Sequence, residues 1–162
     1  MPKYLIGLAA TVLISLTPVV SQAQLTLGPT VAYHDDFDIG IGATVGALIP
    51  SFGPGIGFMG DFLYFFPDGG VDYFELNGNV TYDFPLPEST VVPFVLAGLN
   101  VASSSRDVPG GGEVDDTEVG LNLGGGLAFD AGSFRPTVGG RFQLDGGEGF
   151  VFFATLPFKL GR

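Results

Sequence analysis

The 162-residue chain carries 17 acids against 6 bases, a net charge of −11, with 27 glycines and no cysteine. That balance excludes nucleic acid as a partner, because such affinity rests on Lys and Arg against phosphate. The missing cysteines exclude a disulfide framework, a thiolate metal site and a lipid-modified N-terminal cysteine. The length suggests one domain, and 13% aromatic content argues against disorder.

Residues 1–23 read as a secretory signal peptide. Met1-Pro-Lys3 is a short basic start, residues 4–16 are almost unbroken apolar sequence, and Ser21-Gln-Ala23 is a small-x-small site. Cleavage is expected after Ala23, leaving residues 24–162 as the folded domain. A retained helix would need about 20 apolar residues, more than precede Pro18. The mature chain keeps all 17 acids and loses only Lys3 among the bases, for a net charge of −12. Export without a spanning helix leaves two choices, a soluble exported domain or a β-barrel.

Beyond residue 24 no helical period is sustained, and glycine recurs too often for a long helix. Eight apolar, glycine-spotted stretches recur instead, at 25–33, 39–48, 56–66, 73–84, 91–102, 117–129, 134–144 and 150–160. An even number of strands lets first and last meet antiparallel and close the sheet. The connections alternate strictly in kind. Residues 50–55, 85–90 and 130–133 are short and rich in Pro, Gly and Ser, whereas 34–38, 67–72, 103–116 and 145–149 carry most of the acids. With the N-terminus inside, the plain turns face the periplasm and the acidic loops face outward, an asymmetry of outer-membrane barrels.

The fourth stretch shows the pattern best. Phe74, Leu76, Val80, Tyr82 and Phe84 share one parity, and Glu75, Asn77, Asn79, Thr81 and Asp83 share the other. About a dozen residues exceeds the usual soluble strand and matches the roughly 9–11 that a tilted strand needs to cross a bilayer. Stretches six to eight keep the same parity; stretch five is apolar on both faces. The polar faces hold Gly, Asn, Thr and a few charges rather than the Lys and Glu of a water-exposed surface. Such a composition suits a barrel with lipid outside and small polar residues within. Aromatics near predicted strand ends (Tyr33, Phe37, Tyr64, Phe66, Tyr73, Phe74, Phe84, Phe129, Phe134, Phe150 and Phe158) suggest two interfacial girdles.

Charges on the inner parity predict a plugged lumen. Arg141 and Glu75 project inward in the outer half, Arg135 and Asp83 in the periplasmic half, and Asp61 at mid-height. An unpaired charge in so narrow an interior is costly, so these five are expected to pair. If 130–133 closes its hairpin symmetrically, Arg135 lies opposite Ala128 and Arg141 opposite Asn122.

No constellation for chemistry stands out. The single histidine, His34, is expected as a solvated loop residue beside Asp35 and Asp36, and no nucleophile-elbow sequence surrounds Ser103, Ser104 or Ser105. Asp35, Asp36, Asp38, Asp115 and Asp116 offer oxygens for a divalent cation without the spacing of a dedicated loop. Gly110-Gly-Gly112 is a loop tip and not a phosphate cradle. No cofactor and no catalytic residue are expected.

On these residues the chain resembles the small eight-stranded outer-membrane barrels, similar to OmpX and the membrane domain of OmpA. The resemblance covers about residues 25–160 and implies an all-β, antiparallel, up-and-down transmembrane barrel in the outer membrane, monomeric and surrounded by outer-membrane lipids. Members usually end on an aromatic residue; here Phe158 stands four residues before Arg162. The interior of eight strands is just wide enough for side chains to fill. The expected role is therefore non-enzymatic, structural or surface-interacting through the acidic loops. The alternatives are a narrow porin-like channel, a soluble exported barrel binding an apolar ligand, and a lipid-modifying enzyme using His34.

Overall fold

The computed structural model describes residues 24–67, 71–108 and 112–160; the expected signal peptide lies outside them. Alternation along each segment builds β1 (Gln24–His34), β2 (Asp38–Leu48), β3 (Ile56–Phe65), β4 (Val71–Asp83), β5 (Val91–Val108), β6 (Gly112–Phe129) and β7 (Thr137–Leu144). The eighth strand comes in two pieces, β8 (Gly149–Thr155) and β9 (Phe158–Leu160). Pro157 lacks a ladder donor, and the wall there is carried by Leu156 N–H to Pro29 C=O and Arg135 N–H to Pro157 C=O. From β1 to β8 each strand pairs antiparallel with the next, and β1 pairs with β2 on one side and with β8 and β9 on the other. The sheet is a closed, eight-stranded, up-and-down barrel with both backbone edges consumed by closure.

Side chains sort by parity into a wall and a filling. Thirty large apolar residues are exposed among the described residues, nearly all on the outward parity, including Leu27, Val31, Ile41, Leu76, Val80, Leu99, Leu121 and Phe142. The buried set is polar as well as apolar: Asp61, Glu75, Asn77, Asn79, Asn100, Asn122, Arg141 and Gln143 lie inside. The closure also decides β5, whose parity was ambiguous. Val92, Phe94 and Leu96 turn inward, making an apolar waist with Met59, Ala128 and Phe153. Two outward glycines, Gly60 and Gly78, face each other across β3 and β4, and the ring of Phe58 lies over them.

Four expectations are corrected. The predicted loop 103–116 is largely ladder: β5 and β6 each run 18 residues, with Ser103 opposite Thr117 and Val108 opposite Gly112. Both faces of that stretch are wet, so no hydrophobic alternation announced it, although the backbone ladder needs none. At about 3.3 Å per residue each strand reaches roughly 60 Å and stands well above the short β7–β8 side.

The β6–β7 register differs from the symmetric expectation by two residues. Ala131 bridges Phe134 around Gly132 at φ +68°, so Thr137 meets Ala128 and Arg141 meets Gly124. A shift of two preserves parity, and every side chain kept its face.

His34 is not a solvated loop residue. It ends β1 on the inward parity of Thr30 and Ala32 and is fully buried. Phe37 and Tyr73 do not join the outer girdle; they stack face to face at 3.7 Å over the lumen. Several of the other aromatics pair near the strand ends, Tyr64 with Phe66 on the outer side, and Tyr82 with Phe84 and Phe134 with Phe158 on the other, whereas Tyr33 and Phe129 join no aromatic pair among the described residues.

Candidate functional site

The most structured polar assembly is the lumen. Asp61 comes from β3, Glu75 from β4 and Arg141 from β7, and all three project inward by parity. Arg141 Nη1 donates to Asp61 Oδ2 at 2.9 Å, while its Nη2 donates to Asp61 Oδ1 at 3.0 Å and to Glu75 Oε2 at 3.2 Å. The side chains of Arg141, Asp61 and Glu75 are at most 3% exposed, so the pairing replaces water outright. Gly124, opposite Arg141, leaves the room: a Cβ there would press on the Arg141 backbone and Cβ.

Amides extend the network. Asn77 Nδ2 donates to Asp61 Oδ1 and Glu75 Oε2, at 3.0 and 3.2 Å, and Gln143 Nε2 reaches Glu75 Oε2 at 2.7 Å. Asn122 Nδ2 donates to Asn77 Oδ1 and Asn79 Oδ1, at 2.9 and 3.0 Å. A second ion pair sits nearer the opposite mouth, where Arg135 binds Asp83 and Asp130 holds Lys159 at 3.0 Å. Thus the five charges singled out in the sequence fall into two groups, Asp61–Glu75–Arg141 and Asp83–Arg135. The asparagine and glutamine partners were not singled out, although their inward parity beside Glu75 is a readable signal.

His34 caps the first group. Its Nδ1 accepts the Asp36 backbone N–H at 3.0 Å, and its Nε2 lies 3.9 Å from Glu75 Oε1. Phe37, Phe65 and Tyr73 surround the ring edge-on or tilted, and the Tyr73 hydroxyl donates to Glu75 Oε1 at 3.2 Å. His34, Asp35 and Asp36 bring potential metal-ligand atoms within 4.8 Å of one another. Yet His34 Nδ1 and Asp35 Oδ1 already accept backbone N–H groups, the latter from Phe150 at 2.9 Å. The trio is a hydrogen-bonded turn. Ser103 shares a hydrogen bond with Thr117, and among the described residues no serine hydroxyl bonds His34. No nucleophile–base pair is assembled there.

Above this cap lies an open cup of about 330 Å³, lined by Asp36, Phe37, Tyr73, Arg106, Asp116 and Glu118 among others. Turn 145–148 leans over its side: Asn100 donates to the Gly146 carbonyl, and Gly147 N–H donates to Glu118 Oε2 at 3.3 Å.

No protein-family model matches the chain, and no curated protein sequence matches it. Its architecture does match solved structures. The N-terminal β-barrel domain of Pseudomonas aeruginosa OprF superposes with a TM-score of 0.70 at 15% identity, over 86% of this chain and 100% of that one. Neisserial surface protein A gives 0.64 at 17% identity, over 86% and 98%. Ail, the attachment invasion locus protein of Yersinia pestis, gives 0.60 at 16% identity, over 83% and 94%. The fold is that of the small eight-stranded outer-membrane barrels.

Proposed function

We propose that this chain is an integral outer-membrane protein, a plugged, non-enzymatic barrel that displays an acidic β5–β6 hairpin to its surroundings. The observation that carries the reading is the outward apolar belt. Leu76, Val80, Leu99 and Phe142 are each more than half exposed, while Glu75, Asn77, Asn122 and Arg141 are buried. In water this arrangement is inside out; in lipid it places every side chain in a matching medium. Closure supports it further, since no backbone edge is left for hydrocarbon to face.

The lumen supports a plug over a channel. Arg141, bound at once to Asp61 and Glu75, ties β7 to β3 and β4 across the interior. The soluble, ligand-binding alternative has no such support, since the interior is occupied by side chains, charged and amide groups in one part and the apolar waist of Met59, Phe94, Leu96 and Phe153 in another. The partners of this reading are the lipids around the belt and cations loosely drawn to the acidic rim (Asp35, Asp36, Asp38, Asp115 and Asp116), with one chain sufficient to close the barrel.

Membrane fractionation with heat-modifiable gel migration tests the reading. Recovery in the outer membrane, as a band whose mobility changes on boiling, is expected. A soluble periplasmic pool overturns it. Planar-bilayer recordings from the purified protein are expected to show no steady conductance.

A further inference from the structure

The amides of the lumen are oriented by their donors, and the orientation leaves a consistent remainder. Gln143 must aim its nitrogen at the Glu75 carboxylate, and Asn77 aims its own at Asp61 and Glu75. That fixes Asn77 Oδ1 as an acceptor, so Asn122 must also present nitrogen. Asn100 presents nitrogen to the Gly146 carbonyl. Flipping any of these would set oxygen against oxygen. The result is three acceptors, Asn100 Oδ1, Asn122 Oδ1 and Gln143 Oε1, that are buried without a hydrogen-bond partner among the described residues, as are Arg141 Nε and His34 Nε2. The three acceptors belong to adjacent strands: Asn122 is directly opposite Gln143, and Asn100 is opposite Gly120, one inward position above Asn122.

Charge points the same way. Two carboxylates, Asp61 and Glu75, are buried with one guanidinium. The nearest other base is His34, whose Nδ1 lies 3.2 Å from Asp35 Oδ1 and whose Nε2 lies 3.9 Å from Glu75 Oε1. Among these three side chains the carboxylates outnumber the guanidinium by one, next to three orphaned oxygens. Water would satisfy the oxygens and leave the charge.

We propose that the outer part of the lumen is a binding site for one monovalent inorganic cation of the sodium or potassium class, held by the amide oxygens of Asn100, Asn122 and Gln143 beside the Glu75 carboxylate. A single positive charge matches the excess, and neutral amide oxygens are suitable ligands. A divalent ion takes more oxygens and more carboxylates than these side chains offer. The outer cup lies above the His34 cap. Asp36, Asp116 and Glu118 line it, and acids around a concave mouth raise the local cation concentration. Tyr73, also in its lining, donates its hydroxyl to Glu75. The Arg141–Asp61 pair lies beyond Glu75, so the site is a blind one. The proposal concerns the lumen alone and stands whatever medium faces the outer wall.

The test uses the refolded barrel at constant ionic strength, with sodium, potassium or rubidium chloride replaced stepwise by N-methylglucamine chloride. Small cations are expected to raise the unfolding midpoint saturably, the folding constant gaining about tenfold for each tenfold excess over the dissociation constant. Asn100→Leu is expected to flatten that dependence, whatever it does to the midpoint itself. Independently, crystals of the unmodified protein grown in rubidium chloride should show an anomalous peak among Asn100, Asn122 and Gln143. A midpoint that does not change as the small cation is replaced overturns the proposal, as does a site holding only water.

Discussion

Arg141 and Asp61 stand 80 residues apart, on β7 and β3, and join through two parallel hydrogen bonds of 2.9 and 3.0 Å across the barrel interior. Removing one member of such a buried pair leaves the other charge unpaired, at a cost of ~3–5 kcal/mol. Arg141→Leu is therefore expected to lower the urea midpoint of the refolded barrel substantially. Adding Asp61→Asn to the same chain should recover part of the loss, because it removes the stranded carboxylate. An unchanged midpoint in Arg141→Leu would show that the pair contributes nothing to the fold.

Gly124 provides the space in which that arginine leaves the wall. A Cβ there would meet the Gly140 carbonyl and the Arg141 Cα and Cβ, the last at 2.8 Å. Gly124→Val is expected to shift or break the β6–β7 ladder, with a loss of the order of 1–3 kcal/mol, as for overpacked cores. Gly132→Ala makes a control for space, since nothing lies within 4 Å of that position. Its loss should instead reflect the positive φ alone.

Leu99 sits on the outward face, 55% exposed, between Gly78 on β4 and Leu121 on β6. In a bilayer, Leu99→Arg at mid-wall should cost about 2–4 kcal/mol, measured by unfolding from lipid vesicles. On a water-facing surface the same change would be neutral. The sign of this result therefore reports the medium directly.

The β5–β6 hairpin stands on the side assigned to the cell exterior, with exposed Asp115, Asp116 and Glu118 on its second strand. An epitope inserted between Val108 and Gly112 is expected to bind antibody on intact cells and to leave the heat-modifiable barrel unchanged. Binding only after the outer membrane is permeabilised would invert the topology.

Much of this was legible because a strand has a period of two and the wall separates two media. Leu76 and Val80 against Glu75 and Asn77 is enough to give β4 two faces. Parity survives even an error of register, which is why Arg141 was assigned inward although its partner residue on β6 was misjudged by two positions. Reading failed where parity carries no contrast. In β5 both faces are apolar over residues 91–97, and beyond Ser103 both are wet, so neither its orientation nor its length could be read. His34 was misjudged for a related reason. It follows the last apolar residue of β1 and precedes two aspartates, and only the inward parity of Thr30 and Ala32 marks it as buried.

The sequence by itself determined an all-β barrel, its strand count and the greasy and polar faces, because each of these is local alternation or composition. The tertiary structure decided who meets whom. Arg141 chooses Asp61 and Glu75, Arg135 chooses Asp83, and three amide oxygens are left without partners. Those outcomes depend on barrel closure and on the register of strands far apart in the chain, which no pattern of period two can specify.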